Sequence, residues 1–410
     1  GLIPLSVTRS LIGIGGFLMS WLDGQMNFER LIDEMQSIWG FGLIPLHRPI
    51  FEGNERQYLV DCIDSNFVSS IGAKVTQFEQ GIAEFTSTKF AVATVNGTAA
   101  LHIALELAGV KAGEEVITQA LTFIATCNAT RYCDAWPVFV DVDRDTLGMS
   151  PSALRRFLNE FAEQRPDGVF NRKSGRRLAA CVPMHTFGLP CRIAEIVAIC
   201  EEFGIPVVED AAESLGSYAG DQHTGSFGTL GTFSFNGNKV ITTGGGGMIV
   251  TNDEALALRA KHVTTTAKVP HAREFVHDEV GYNYRLPNLN AALGCAQMER
   301  LPGMLAIKVE IASRYAALLE GSPLQLVKPL PGSTANHWLN AVLLENREAR
   351  DAFLEYTNSR DVMTRPVWRL MHHLDMFAHC QHDGLVNSLW LEDRLVNLPS
   401  SVPEGALGKL

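Results

Sequence analysis

The chain has 410 residues, a formal net charge of −11 and 46% apolar residues. That length can bury a large core and predicts a large domain plus a smaller one. The acidic balance argues against nucleic acid as a partner. Eight cysteines without a CxxC pair fit buried thiols of a cytoplasmic protein, not a disulfide framework or a zinc site.

The first 25 residues read as extra sequence ahead of a helix-like stretch from Asn27 to Ile38. Their apolar run, Ser10 to Leu22, is too short to span a bilayer, so no membrane insertion is expected. Weak membrane association is the second reading. Ile44-Pro-Leu-His-Arg-Pro49 is extended, since prolines block helix. Helical spacing follows in Glu52–Asp64 and Val75–Phe85.

From Phe90 the pattern alternates. Strands are predicted at Phe90–Val95, Glu115–Thr118, Val138–Val142, Leu178–Pro183 and Pro206–Glu209. Helices are predicted between them at Thr98–Ala108, Leu121–Arg131, Pro151–Phe161 and Ile193–Phe203, with Glu163–Arg177 a polar connection. Strand–helix alternation gives an α/β fold, a mostly parallel sheet with helices on both faces. Ligands in such sheets bind beyond the carboxyl ends of the strands. After Gly247 come a strand, Met248–Thr251, and a helix, Asp253–His262. A polar mobile or interface loop, Val263–Val276, and two helices, Pro287–Glu299 and Met304–Leu319, follow. The composition then shifts toward a smaller α+β domain. The expected division is 1–43, an N-terminal extension and helix; 44–300, the large domain; and 301–410, a connector helix and small domain.

The chemistry centres on Gly231 to Gly247. A β-run, Thr232 to Phe235, leads into an Asn236-Gly-Asn238 turn that presents Lys239, with four glycines close behind. In a strand, Thr232 and Ser234 share one side and the phenylalanines the other. A lysine after a turn is ordinarily a solvated surface residue. Two other features sit at strand ends: the carboxylates of Val207-Val-Glu-Asp210, and Asn96-Gly-Thr-Ala-Ala-Leu101, a strand-to-helix junction with a phosphate-cradle layout. Lysine, strand-end acid and phosphate cradle are together what pyridoxal 5'-phosphate requires.

The chain resembles the DegT/DnrJ/EryC1/StrS family of nucleotide-sugar aminotransferases. The likeness rests on Val95–Leu105, Ile117–Phe123, Val208–Gly216, Phe233–Lys239 and Gly281–Arg285, which stand in the family's order. It implies the fold type I of pyridoxal phosphate-dependent transferases, with Lys239 as Schiff-base lysine and proton carrier. It further implies Asp210 at the pyridine nitrogen and Glu213 near the 3'-oxygen. Gly97, Thr98 and Ser234 would hold the phosphate and Phe123 would stack on the ring. Asn283 would reach the phosphate from the neighbouring subunit of a homodimer with shared active sites. Each residue also has a plainer reading: Asp210 a helix cap, Glu213 a capping-box partner, Ser234 a buried hydroxyl, Phe123 a core residue, Asn283 a turn residue. His185, Trp368, His372 and His373 are candidates for substrate contact. No metal cluster is legible.

By resemblance the substrates are an amino-acid donor, glutamate, and a keto-sugar carried on a nucleotide. The subgroup likeness points to C4 of a UDP-linked 2-acetamido-4-keto-2,6-dideoxyhexose. The alternatives are a GDP-linked 4-keto-sugar of perosamine type, or a non-catalytic cofactor-binding or dinucleotide-binding module. Gly244–Gly247 is not a G-x-G-x-x-G opening a helix, which weighs against the dinucleotide reading.

Overall fold

The computed structural model describes residues 27–69 and 72–409. The expectations for residues 1–25 therefore lie outside the described residues, while the helix expected from Asn27 is observed over residues 27–39.

Seven strands build the central sheet: β1 (Phe90–Thr94), β2 (Glu115–Gln119), β3 (Trp136–Val140), β4 (Leu178–Val182), β5 (Val208–Asp210), β6 (Leu230–Ser234) and β7 (Gly247–Thr251). Across the sheet they run β1, β7, β6, β5, β4, β2, β3; parallel bridges from Cys181 to Val207 and from Met184 to Asp210 join β4 to β5. Only β7 is antiparallel to its neighbours, so the sheet is mostly parallel. Alternation in β2 explains why both faces are covered. Val116 packs with Ala100, Leu101 and Ala104 of the helix Gly97–Leu107. Ile117 packs on the other face with Leu154, Phe157 and Ile196 from the helices Pro151–Phe161 and Ile193–Phe203.

Four local expectations are corrected. The connection after Phe161 is a hairpin, Ala162–Arg165 paired with Gly168–Asn171, because Pro166-Asp167 forms a two-residue turn and Gly168 just after it takes φ 140°. The expected loop from Val263 contains a ribbon, Lys268–Val269 against Val276–His277. The helix expected from Leu121 starts at Ile124, with Phe123 left extended just before it. Finally, the two helices expected on either side of Pro302 are one, Asn288–Leu319, which runs through residue 300. An interior proline costs about 3 kcal/mol, but the helices Glu55–Asp64 and Ala73–Thr86 pack along this one and hold it continuous.

The remainder is α+β. Four short antiparallel strands, Gln325–Leu326, Asn340–Leu343, Leu395–Leu398 and Arg365–Pro366, are accompanied by the helices Arg347–Asn358 and Val386–Glu392. This part leans on the central sheet: Met371 N–H donates to the Ala120 carbonyl at 3.0 Å and Phe139 N–H to the Gln381 carbonyl at 2.9 Å. No helix among the described residues is long and apolar enough to cross a membrane.

Candidate active site

A cavity of about 330 Å³ opens beyond the carboxyl ends of β1, β5 and β6, bounded also by the small domain. Each strand end delivers one element of it. After β1 the chain turns into the helix Gly97–Leu107, whose first N–H groups have no intrahelical acceptor. Asn96 caps that helix, its side-chain oxygen accepting from Ala99 N–H at 2.7 Å, which leaves the Gly97 and Thr98 ends at the cavity. Glycine at 97 is a packing requirement: a Cβ there would meet the Cβ of Ser234 at 2.8 Å. The helix start and the Ser234 hydroxyl thus close on one another as a cradle.

At the end of β5 successive carboxylates point to opposite sides. Asp210 lines the cavity at 2% exposure; its Oδ2 accepts from the Thr126 hydroxyl at 2.7 Å and its Oδ1 from Ala212 N–H at 3.2 Å. Burial pushes its carboxyl above the usual range, against the pull of the Thr126 and Ala212 hydrogen bonds and of Lys239. Glu209 faces the other way and is fully buried. It accepts from the backbone N–H groups of Gly225 at 2.8 Å, Phe227 at 2.7 Å and Gly228 at 2.9 Å. His185 Nε2 adds a fourth contact to Glu209 at 2.8 Å, while His185 Nδ1 accepts from Cys191 N–H at 3.2 Å. Those partners assign the ring proton to Nε2. His185 is therefore placed behind Asp210, bonded to the carboxylate next to it, and does not line the cavity.

From β6, Phe233 and Phe235 go into the core and Ser234 into the cavity, as strand alternation requires. The turn is closed by Lys239 N–H donating to the Asn236 carbonyl at 3.0 Å. Lys239 Nζ stands 3.6 Å from Glu213 Oε2 and 4.2 Å from the centre of the Trp338 ring. Glu213 Oε1 accepts from Phe187 N–H at 2.9 Å, from a residue held at φ 58°. Burial raises the Glu213 carboxyl to about 7, with Lys239 opposing.

The one cavity therefore brings together Gly97, Thr98, Ser234, Asp210, Glu213 and Lys239, with Phe123 and Trp368 on its wall. Phe123 is 48% exposed, its ring 6.3 Å from Trp368. Trp368 in turn lies 5.0 Å from Phe187. Besides His185, three of the residues named from sequence lie elsewhere. Asn283 is exposed, flanked by Tyr282 and Tyr284, which stack at 5.0 Å and turn inward onto His102. His372 packs against His373 and His382, and His373 Nδ1 approaches Glu392 at 3.2 Å. Residues that sequence reasoning missed are Trp338, Thr126, Phe187 and the Glu209 clasp. Trp338 follows a left-handed His337 and belongs to no motif; only the fold brings it to Lys239.

Three other hollows are larger, about 460, 440 and 390 Å³, but none lies at the carboxyl ends of β1, β5 and β6. In the second, Arg192 is already paired with Asp143 and Asp145. Among the described residues His262, Asp278 and Glu279 converge closely enough to hold an ion, yet Arg259 is already paired with Glu279.

The donor set fits pyridoxal 5'-phosphate. It offers a cradle of free helix-start N–H groups and a hydroxyl for a phosphate. An amine and a buried acid face one cavity, and an exposed aromatic stands at its wall.

Comparison with known proteins agrees. Residues 49–403 match the model of the DegT/DnrJ/EryC1/StrS aminotransferase family. A GDP-perosamine synthase of Vibrio cholerae is 35% identical over 364 residues, 87% of this chain and 94% of that protein. One of Escherichia coli O157:H7 is 35% identical over 359 residues, 87% of this chain and 93% of that protein. Among solved structures, the aminotransferase TlmJ of Streptoalloteichus hindustanus superposes with a TM-score of 0.80 at 26% identity, covering 90% of this chain and 96% of that one.

Proposed function

The chain belongs to the DegT/DnrJ/EryC1/StrS aminotransferase family and is a pyridoxal phosphate-dependent sugar aminotransferase; from that premise we propose that its acceptor is a GDP-linked 4-keto-sugar of perosamine type and its donor glutamate. The observation that carries the nucleotide choice is the similarity to GDP-perosamine synthases over 94% and 93% of their length. The motif likeness had favoured a UDP-linked 2-acetamido sugar, so the full-length similarity shifts the reading to the alternative.

When bound, the cofactor supplies a carbonyl that receives the amine and a ring that accepts electrons. The residues of this chain supply the rest. Gly97, Thr98 and Ser234 hold the phosphate through two N–H groups and a hydroxyl. Asp210, positioned by Thr126, offers a carboxylate to the ring nitrogen. Lys239 is the amine that carries the proton between the carbons exchanging the amino group. Glu213 sits 3.6 Å from that amine and sets its electrostatic surroundings. Phe123 and Trp368 wall the cavity and exclude water.

Asn283, outside the cavity of its own chain, supports a homodimer in which it completes the neighbour's phosphate site. A cytoplasmic setting goes with eight cysteines that are all free and buried.

The test is a matched assay of GDP- and UDP-linked 4-keto-sugars with glutamate, following 2-oxoglutarate. Turnover confined to the GDP sugar is expected. Turnover confined to the UDP sugar would overturn the substrate reading, and a dead reaction with both would overturn the function.

A further inference from the structure

One buried amine has no part in that reaction. Lys308, on the helix Asn288–Leu319, is 1% exposed. Its Nζ donates to His47 Nε2 at 2.9 Å, to the Ser400 carbonyl, and at 3.4 Å to the Trp338 carbonyl. Burial alone draws its pKa down to about 7. A buried ammonium carries a desolvation cost that an apolar side chain of the same length would avoid. Its stabilising value is therefore small, and its value must be sought in what it holds.

The three acceptors belong to three separate segments; Trp338 lines the cavity, and His47 comes close to the turn that carries Lys239. Trp338 presents its ring to Lys239 Nζ at 4.2 Å and donates from Nε1 to the Asn238 carbonyl at 2.6 Å, one residue before Lys239. His47 lies near enough to both lysines that, after burial, the charges of Lys308 and then Lys239 hold it well below its usual pKa. The Asn238 carbonyl pulls the His47 ring the other way without making a full hydrogen bond, and Nδ1 stays buried and unpartnered.

We propose that Lys308 is a positioning residue for Lys239, acting through the Trp338 backbone and the His47 ring to fix the indole face and the Asn236–Lys239 turn that aim the amine into the cavity. The proposal rests on Lys239 being the working amine and not on which sugar is accepted. It makes the long helix more than a connector, since one of its side chains reaches through Trp338 to the site.

The test is a double-mutant cycle on the full-length chain freed of cofactor. Cyanate carbamylates neutral amines, and peptide mass spectrometry reads Lys239 separately from every other lysine. Lys308→Gln and Trp338→Phe are each expected to speed Lys239 carbamylation about fivefold, as the indole contact loosens. The double variant should be no faster than either single one, because both act on the same contact. In the loaded enzyme Lys308→Gln should lower kcat about 10- to 100-fold with KM for both substrates held within about twofold. Carbamylation of Lys308→Gln at the wild-type rate, or single effects that multiply in the double variant, would overturn the proposal. Should Lys308→Gln not fold, the cycle of His47→Gln with Trp338→Phe answers the same question by the same criteria. Lys239 reactivity is read without any sugar, so failure here is distinct from failure of the substrate assay.

Discussion

Glu213→Gln should change how the cofactor-free enzyme's stability depends on pH. In the folded chain Glu213 is buried beside Asp210 and its carboxyl sits at about 7, against an ordinary 4.5. A carboxyl that binds its proton more tightly when folded contributes stability that is complete below the unfolded value. That contribution is lost as pH rises through the folded value. Between 4.5 and 7 the loss amounts to about 3 kcal/mol at 1.36 kcal/mol per pH unit. Glutamine keeps the acceptor for Phe187 N–H but cannot ionise. Its stability relative to wild type should therefore start near zero at about pH 4 and grow to about 3 kcal/mol by about pH 8. Groups common to both proteins cancel in that difference. Denaturant unfolding of the two apo proteins across this range measures it. A difference flat with pH, or one that shrinks as pH rises, would refute a buried Glu213 that titrates near neutrality.

Lys239→Ala is expected to retain weak cofactor binding but to lose turnover by at least about a thousandfold, read by 2-oxoglutarate formation. Wild-type turnover would refute the lysine assignment. Asp210→Asn keeps the shape and the Thr126 contact but removes the charge; kcat should fall about 100-fold with the thermal midpoint little changed. Glu209→Ala leaves three backbone N–H groups and His185 without their acceptor and should cost about 3–5 kcal/mol, measured by denaturant unfolding. A cost below about 1 kcal/mol would show that the clasp around Glu209 is incidental.

Much of this protein is written in local pattern. Alternating strands and helices with short connections dictate a parallel sheet, because a right-handed crossover packs each helix back on it. The placement of Gly97, Asp210 and Lys239 at strand ends followed from the same pattern, since all three segments end on one edge. Alternation within β6 correctly separated Ser234 from Phe233 and Phe235. What the sequence could not supply were contacts between residues far apart in the chain. Trp338 meets Lys239, and Lys308 meets His47, only after the small domain folds back over the sheet. No short motif records such meetings, because local periodicity carries no information about them. The continuity of the helix through Pro302 has the same origin: local propensity argues for a break, and packing from two distant helices overrides it. The chemistry of the amine was thus set by residues adjacent in sequence. Its orientation and electrostatic surroundings were set by tertiary packing, which alone decides which distant groups share a low-dielectric space.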